Sequence, residues 1–405
     1  MTITAPAPPT TPRTTGHGRG FWYVAFAFLV AMAFSTVPAP LFPVYQERDG
    51  FSTFMITVVF AAYAVGVATA LVLAGHVSDW LGRRRVLVPA LVLELVAAVL
   101  FLSGTDLATL LVARFVNGLG VGMLTATATA ALADLDARHR PGAGPRRFEV
   151  VSTTVNIGGL GAGALLTGVL AEWAPAPLRT AYVVFVALVA AAIAAVALTP
   201  ETVERPAERP AYRPQRPRAD HRDPRTWLAA VLSGFVAFGV FGLFTSVAPG
   251  FVAGSLHHPS RALAGLVVFS VFGSAALAQA TSGGLSLDLR RRAGLLSVAA
   301  GLVLLTLGMH AASLGLFLLG GVVAGAGAGL LFKSAVGAVA GLAAPAERGE
   351  ALAGLFLVAY LGMSVPAVGI GLAVRGVSAV TAMSWLTVLL VALVGVVGVL
   401  GRRRP

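Results

Sequence analysis

The sequence predicts an all-α integral membrane protein of twelve transmembrane helices in two pseudo-symmetric six-helix bundles. Three observations predict it. Of 405 residues, 57% are hydrophobic and 11% charged, with a mean hydropathy of +0.86, more apolar surface than a soluble interior of this size can hide. The apolar residues fall into twelve runs long enough to cross about 30 Å of hydrocarbon, which takes roughly 17 to 25 helical residues each. A charged knot, Gly75-His76-Val77-Ser78-Asp79-Trp80-Leu81-Gly82-Arg83-Arg84-Arg85, is echoed in the second half by Gly284-Leu285-Ser286-Leu287-Asp288-Leu289-Arg290-Arg291-Arg292. Duplication of a membrane unit leaves such a trace.

The runs are placed at 21–45, 53–74, 86–103, 107–133, 149–172, 180–199, 227–251, 262–282, 293–311, 313–340, 351–373 and 378–400. Only helices can fill them, because hydrocarbon offers the backbone no water and no strand-like alternation is present. The first carries Pro38, Pro40 and Pro43, which remove backbone donors and bend it. Val37-Pro38-Ala39 loosely mimics a signal cleavage site, but the polar leader is long and Pro40 would follow the cut, so an uncleaved first helix is expected. The fourth holds Gly118 and Gly122, the fifth Gly159, Gly163 and Gly168, and the tenth Gly325 and Gly329. Small residues at these spacings let helices approach closely and slide. The eleventh contains Pro366, a candidate hinge. Asn117 to Gly122 in the fourth run resembles Ala324 to Gly329 in the tenth, and Arg147-x-Glu149 resembles Arg348-x-Glu350.

The remaining segments are polar. Residues 1–20 are Pro/Thr/Gly-rich and read as a disordered cytoplasmic N-terminus; 201–225, with repeated Arg-Pro pairs, read as a cytoplasmic linker. The linker divides an N-terminal six-helix bundle, 21–200, from a C-terminal one, 226–400, and 401–405 form a basic cytoplasmic tail. With the N-terminus cytoplasmic, 23 of the 29 basic residues lie inside, four (Arg48, Arg179, Arg261, Arg375) lie outside, and Arg114 and Lys333 fall within helices. The positive-inside rule selects that orientation, a multi-pass protein of the cell membrane.

Several classes are disfavoured. The net charge of +12 is spread over short loops, so it reads as a topology signal and not as a nucleic-acid surface. No cysteine is present, which removes disulfides and thiolate chemistry. The histidines are scattered, so no metal, cofactor or enzymatic centre is expected. No filter-like repeat suggests a channel, and no Walker lysine motif suggests nucleotide-driven pumping.

The charges inside the runs mark the candidate site. Arg114 lies about 10 Å below the outer end of the fourth helix at 1.5 Å per residue, where lipid exposure is costly, so it is expected to face the interior. Asn117, Gly118 and Thr125 share its face. Lys333, the sole lysine, is aligned with Gly329 and Gly325, which puts it on a close-packing face; snorkelling to the interface is the alternative. Glu94 is the one carboxylate well inside a run, where it can carry a proton or make a structural hydrogen bond. Asn156, Tyr182, Gln279 and Tyr360 are candidate cavity polar groups. Asp79 beside its arginines can form charge-assisted hydrogen bonds that depend on helix position, or merely anchor topology.

These motifs resemble the major facilitator superfamily over essentially all of residues 21–400. The signature loop matches Gly75-x3-Asp79-x2-Gly82-Arg83-Arg84-Arg85, and Arg114 to Gly122, with Asp134 at the helix end, is similar to the second family motif. Pro200-Glu201-Thr202 is familiar there too. The antiporter pattern of the fifth helix is partial, with Ala164 where the family has proline. The resemblance implies secondary transport of a small molecule by alternating access, with the proton as coupling ion, membrane lipids as surroundings and a monomer as the working unit. It implies a latch of Asp79, Arg83 and Asp134, with Gly75 and Gly82 in its loop, and a second copy at Asp288 and Arg290. It ties Arg114 to proton transfer or substrate binding and puts the fourth and tenth helices at the cavity, so Arg114, Asn117 and Lys333 are candidates for substrate or coupling; Glu94, on a helix usually outside the family's cavity, and Asn156 are candidates from their own chemistry. Export is favoured over uptake; a transport-dead receptor on the same fold is the further alternative.

Overall fold

The computed structural model describes residues 14–203, 212–215, 223–344 and 347–401. The expectations for residues 1–13, for 204–211 and 216–222 of the linker, and for 402–405 of the tail lie outside the described residues. Among those described, twelve helices are long and apolar enough to span a membrane: α1 (Gly16–Asp49), α2 (Thr53–Ala74), α3 (Arg83–Ser103), α4 (Leu107–His139), α5 (Arg146–Trp173), α6 (Pro177–Ala197), α7 (Pro224–Ser246), α8 (Arg261–Gly284), α9 (Leu287–His310), α10 (Leu314–Leu342), α11 (Arg348–Ala373) and α12 (Ala379–Leu400).

Seven of the twelve N-termini follow local chemistry. Ser52, Asp106, Asp223, Ser260, Ser286, Ser313 and Ser378 each accept a hydrogen bond from a first-turn amide of the helix they precede, satisfying a donor the helix leaves unpaired. The Thr226 hydroxyl, and then its amide, hold the Asp223 carboxyl below its usual range. Residues 14–20, expected to be disordered, are helical: the helix of α1 runs into the polar leader, where water can receive its side chains. Within α1 the regular helix stops at Ser35 and resumes at Phe42 after a 3-10 turn, where Pro38 and Pro40 withhold amides. In α5 the residues Thr154–Gly158 form a π turn, an insertion with no signature in the apolar pattern.

Glycines set the helix pairs. A Cβ on Gly118 would collide with the Tyr63 carbonyl and one on Gly122 would reach the Val67 carbonyl at 2.8 Å, so α4 packs backbone to backbone on α2. In the second half, Gly325 and Gly329 press on the carbonyls of Val271 and Ala275, so α10 packs in the same way on α8. The repeat read from sequence is therefore a repeat of contacts. Gly163 likewise meets the Ala33 carbonyl, and Gly159 lies against Met32, both on α1. Pro366 is buried inside α11.

The two bundles meet along α2 with α11 and α5 with α8. The loops carrying Asp79, Arg140 and Leu285 lie at one end, the basic end; those carrying Asp106 and His258 lie at the other. That opposite end is shut. Gly168 and Gly265 touch across the α5/α8 seam, and Glu172 accepts the Arg261 amide at 2.6 Å and the Ala262 amide at 3.2 Å. At the basic end, residues 212–215 of the linker sit between α2 and α11. The Gln215 amide donates to the Val72 carbonyl at 2.8 Å, the Tyr212 hydroxyl donates to the Leu73 carbonyl at 3.0 Å, and Arg213 lies 3.8 Å from Glu350.

Candidate functional site

The first charged knot closes into a network. Arg83 donates through Nη1 to Asp79 Oδ1 at 2.5 Å and Ser78 Oγ at 2.8 Å, and through Nε to Asp134 Oδ2 at 3.1 Å. Asp79, Arg83 and Asp134 thus meet as expected, all within the first bundle. Glu201, whose role the sequence did not disclose, accepts the amides of Arg83 at 2.8 Å and Arg84 at 3.2 Å, placing a carboxylate on the positive end of α3. Gly82 makes room for it: its φ is +111°, and a Cβ there would lie 2.5 Å from Glu201 Oε2. Gly75 faces Gln215 Oε1, which a Cβ would approach to 2.8 Å.

The second knot departs from expectation. Asp288 pairs with Arg291 at 2.6 Å and Arg292 at 2.8 Å, while Arg290 donates to the Leu285 carbonyl. In the first copy the arginine is four residues after the aspartate; here Arg290 is two after, and residues two apart on a helix do not face each other.

Between the bundles lies a cavity of about 50 Å³, room for a few waters. Its two walls differ in chemistry. The first bundle contributes the polar Ser35, Thr36, Tyr63, Arg114, Thr125 and Asn156 interleaved with Met32, Phe60 and Leu160; the second contributes a mostly aromatic wall, Phe238, Phe241, Phe272, Phe332, Phe356 and Tyr360, with Thr245 and Met363. Asn156 reaches the cavity from the π turn of α5. Tyr63 and Tyr360 face each other from the two bundles, ring centroids 6.4 Å apart.

Arg114 is 2% exposed. Its Nη1 donates to the Ser35 carbonyl at 2.8 Å and to Asn117 Oδ1 at 3.2 Å, and its guanidinium stands 4.8 Å from the Tyr63 ring centroid, a cation–π distance. Asn117 Nδ2 in turn donates to Glu94 Oε2 at 2.6 Å. Glu94 is fully buried, its Oε1 without a hydrogen-bond partner, as is Arg114 Nε. The helical spacing anticipated the interior position of Arg114 and Asn117. It did not anticipate that Glu94, on a different helix, joins them.

Lys333 stands elsewhere. Its position against α8 agrees with the packing face expected, but Nζ donates to the Gln279 carbonyl at 2.6 Å and its neighbour Phe332 lines the cavity instead. Tyr182 also lies outside the cavity, its hydroxyl 3.3 Å from that of Tyr45 and its ring stacked on Phe101. Among the described residues no group of acidic or histidine side chains could hold a metal.

A family model described as Major Facilitator Superfamily matches residues 24–273, more than half the chain. The chain belongs to the major facilitator superfamily. Membership sets it among multi-pass membrane transporters and not among enzymes. It is 38% identical over 84 residues to the multidrug resistance protein MdtL of Citrobacter koseri, a stretch of 20% of this chain and 22% of that protein. Over 78 residues it is 32% identical to the arabinose-proton symporter of Bacillus subtilis, 19% of this chain and 17% of that one. These matches span about a fifth of the length of the curated relatives. Two solved transporters share the whole fold: the human organic anion transporter MFSD10 (TETRAN), at 21% identity and TM-score 0.66 over 96% of this chain and 100% of that one, and a variant of the nucleoside transporter NupG, at 14% and 0.70 over 95% and 100%.

Proposed function

We propose that this major facilitator superfamily chain is a proton-coupled secondary transporter that exports a small molecule from the cell by alternating access. The observation that carries the reading is the buried relay from Glu94 through Asn117 to Arg114, which ends at the wall of a cavity between two bundles. A proton taken up by Glu94 changes the field at Arg114 through one amide, so proton and substrate compete for the same cation without meeting. A charge crossing with the membrane potential supplies about 2.3 kcal/mol per 100 mV. Arg114 is the lining cation and none of the described lining residues is a carboxylate, which supports a neutral or anionic substrate with an aromatic or apolar body.

The arginine distribution supports a cytoplasmic basic end with both termini inside; on this reading residues 21–200 and 226–400 are the two moving units of a monomer. Asp79, Arg83 and Asp134 act as a latch on that side. Resemblance to MdtL supports export; resemblance to the arabinose-proton symporter supports proton-driven uptake as the second reading.

The test is a flux screen in proteoliposomes with an imposed pH gradient, using neutral, anionic and cationic aromatic compounds. Expected is gradient-driven accumulation of a neutral or anionic member, lost in Glu94→Gln while downhill exchange persists. Undiminished driven accumulation in Glu94→Gln overturns the coupling role. Ligand binding without flux makes the protein a receptor on this fold.

A further inference from the structure

In the second charged knot Asp288 pairs with Arg291 and Arg292 of its own helix, and the surroundings of these arginines suit a further role. Arg291 and Arg292 stand at the rim of a cleft of about 1210 Å³ enclosed by the basic-end turns of α7, α9, α10 and α12, with Arg225 on the same rim. Arg291 is held in place by Asp288 and by the Gly401 carbonyl, each at 2.6 Å. Arg292 shares Asp288 but is 71% exposed, and Arg225 is exposed as well. Two of three guanidiniums therefore still present donors to an incoming group.

Further in, the lining is mostly apolar, with Leu295, Ala299, Ala335 and Val394, and the two serines among it, Ser233 and Ser334, donate to the Ala229 and Leu287 carbonyls. Its outer lip is formed by Leu296 on α9 and Val399 on α12, 73% and 68% exposed. Bare leucine and valine at this level of a spanning helix are covered by lipid chains. A fixed basic rim above an apolar slot that opens sideways matches a molecule with an anionic head and hydrocarbon tails.

We propose that this cleft binds an anionic glycerophospholipid of the leaflet at the basic end. The phosphate bridges Arg225 and Arg292, with Arg291 behind it, and one acyl chain enters between α9 and α12. Guanidinium forks suit phosphate oxygens, and basic pockets between transmembrane helices at the cytoplasmic side select such headgroups. Asp223 is engaged with the first turn of α7 and Asp288 with two arginines, so neither carboxylate confronts the phosphate unpaired. A zwitterionic headgroup brings its own cation to the rim and binds more weakly.

The experiment is native mass spectrometry of the purified full chain in detergent, titrated with dioleoylphosphatidylglycerol, dioleoylphosphatidylcholine or inorganic phosphate. Expected is retention of one phosphatidylglycerol at a concentration about tenfold or more below that needed for phosphatidylcholine. Arg225→Gln with Arg292→Gln, both at exposed positions, should abolish that preference with unchanged thermal unfolding; Ala299→Trp, which fills the slot, should weaken both lipids. Equal retention of the two lipids, or an unaltered preference in the double variant, overturns the proposal. So does loss of the preference on removing residues 402–405 alone, which would assign it to the tail. Inorganic phosphate competing as well as phosphatidylglycerol overturns the acyl-chain part and leaves an anion site.

Discussion

Arg114 and Glu94 are joined by one side-chain amide: Asn117 accepts from the arginine at 3.2 Å and donates to the carboxylate at 2.6 Å. Neither charge touches the other, yet each fixes the orientation of the group that the other uses. Asn117→Leu keeps the number and branching of the heavy atoms, though not their volume, and removes both bonds. A buried group left unsatisfied costs about 1–3 kcal/mol, so melting of the purified variant should fall by several degrees while folding persists. Gradient-driven accumulation should be lost with it. Intact driven flux would show that the relay is structural alone.

The latch separates stability from motion. The Asp79 side chain is 65% exposed, and a solvated pair of this kind contributes about 0–1 kcal/mol. Asp79→Asn should therefore leave thermal unfolding within a degree or two and still slow transport several-fold. Arg83→Ala, which also strips Asp134 of its guanidinium, should slow it further. Parent-like flux in both variants would reduce the knot to a topology anchor.

The shut end rests on two glycines. A Cβ on Gly265 would lie 2.5 Å from the Ala164 carbonyl and one on Gly168 would lie 2.6 Å from the Arg261 carbonyl. Backbone cannot yield as a side chain does, so Gly265→Leu should prise α5 from α8. A cysteine at Thr245, on the cavity wall, should then react with a thiol reagent supplied from the His258 side at least several-fold faster than in the glycine background. An unchanged rate would mean that the seam closes without this contact.

Sidedness is checked in the same cysteine-free background. In intact cells an impermeant thiol reagent should label His258→Cys and spare Arg213→Cys, whereas permeabilised cells should show both. The reverse pattern overturns the orientation drawn from the arginines.

Much of the fold was legible because lipid leaves the chain few options: length and polarity mark the spans, and glycine spacing marks the pairs that touch. The contact of Asp79 with Arg83 was legible because they lie four residues apart, whereas the meeting of Arg83 with Asp134 was expected only from the family resemblance. Rotation and partnership were not. Phe238, Phe241 and Phe332 look alike in a chain where phenylalanine faces lipid, core or cavity, so the aromatic wall gave no signal. Glu94 could be seen as buried but not as a neighbour of Asn117, 23 positions away on another helix. Lys333 was placed on the face that packs on α8, but that face is turned from the cavity, which its neighbour Phe332 lines; spacing fixes azimuth and not what stands opposite. The π turn of α5 that brings Asn156 inward has no local residue signature at all.

The cavity's two walls belong to different bodies. On the transport reading, a molecule seated there engages the polar groups of one bundle and the aromatic wall of the other, and those bundles separate in every cycle. Compliance then becomes a selection criterion alongside charge and size. A stiff ligand that spans both walls works as a strut and arrests the cycle, whereas one with a rotatable bond between head and ring yields and passes. Inhibitors of this protein would be rigid analogues of what it carries.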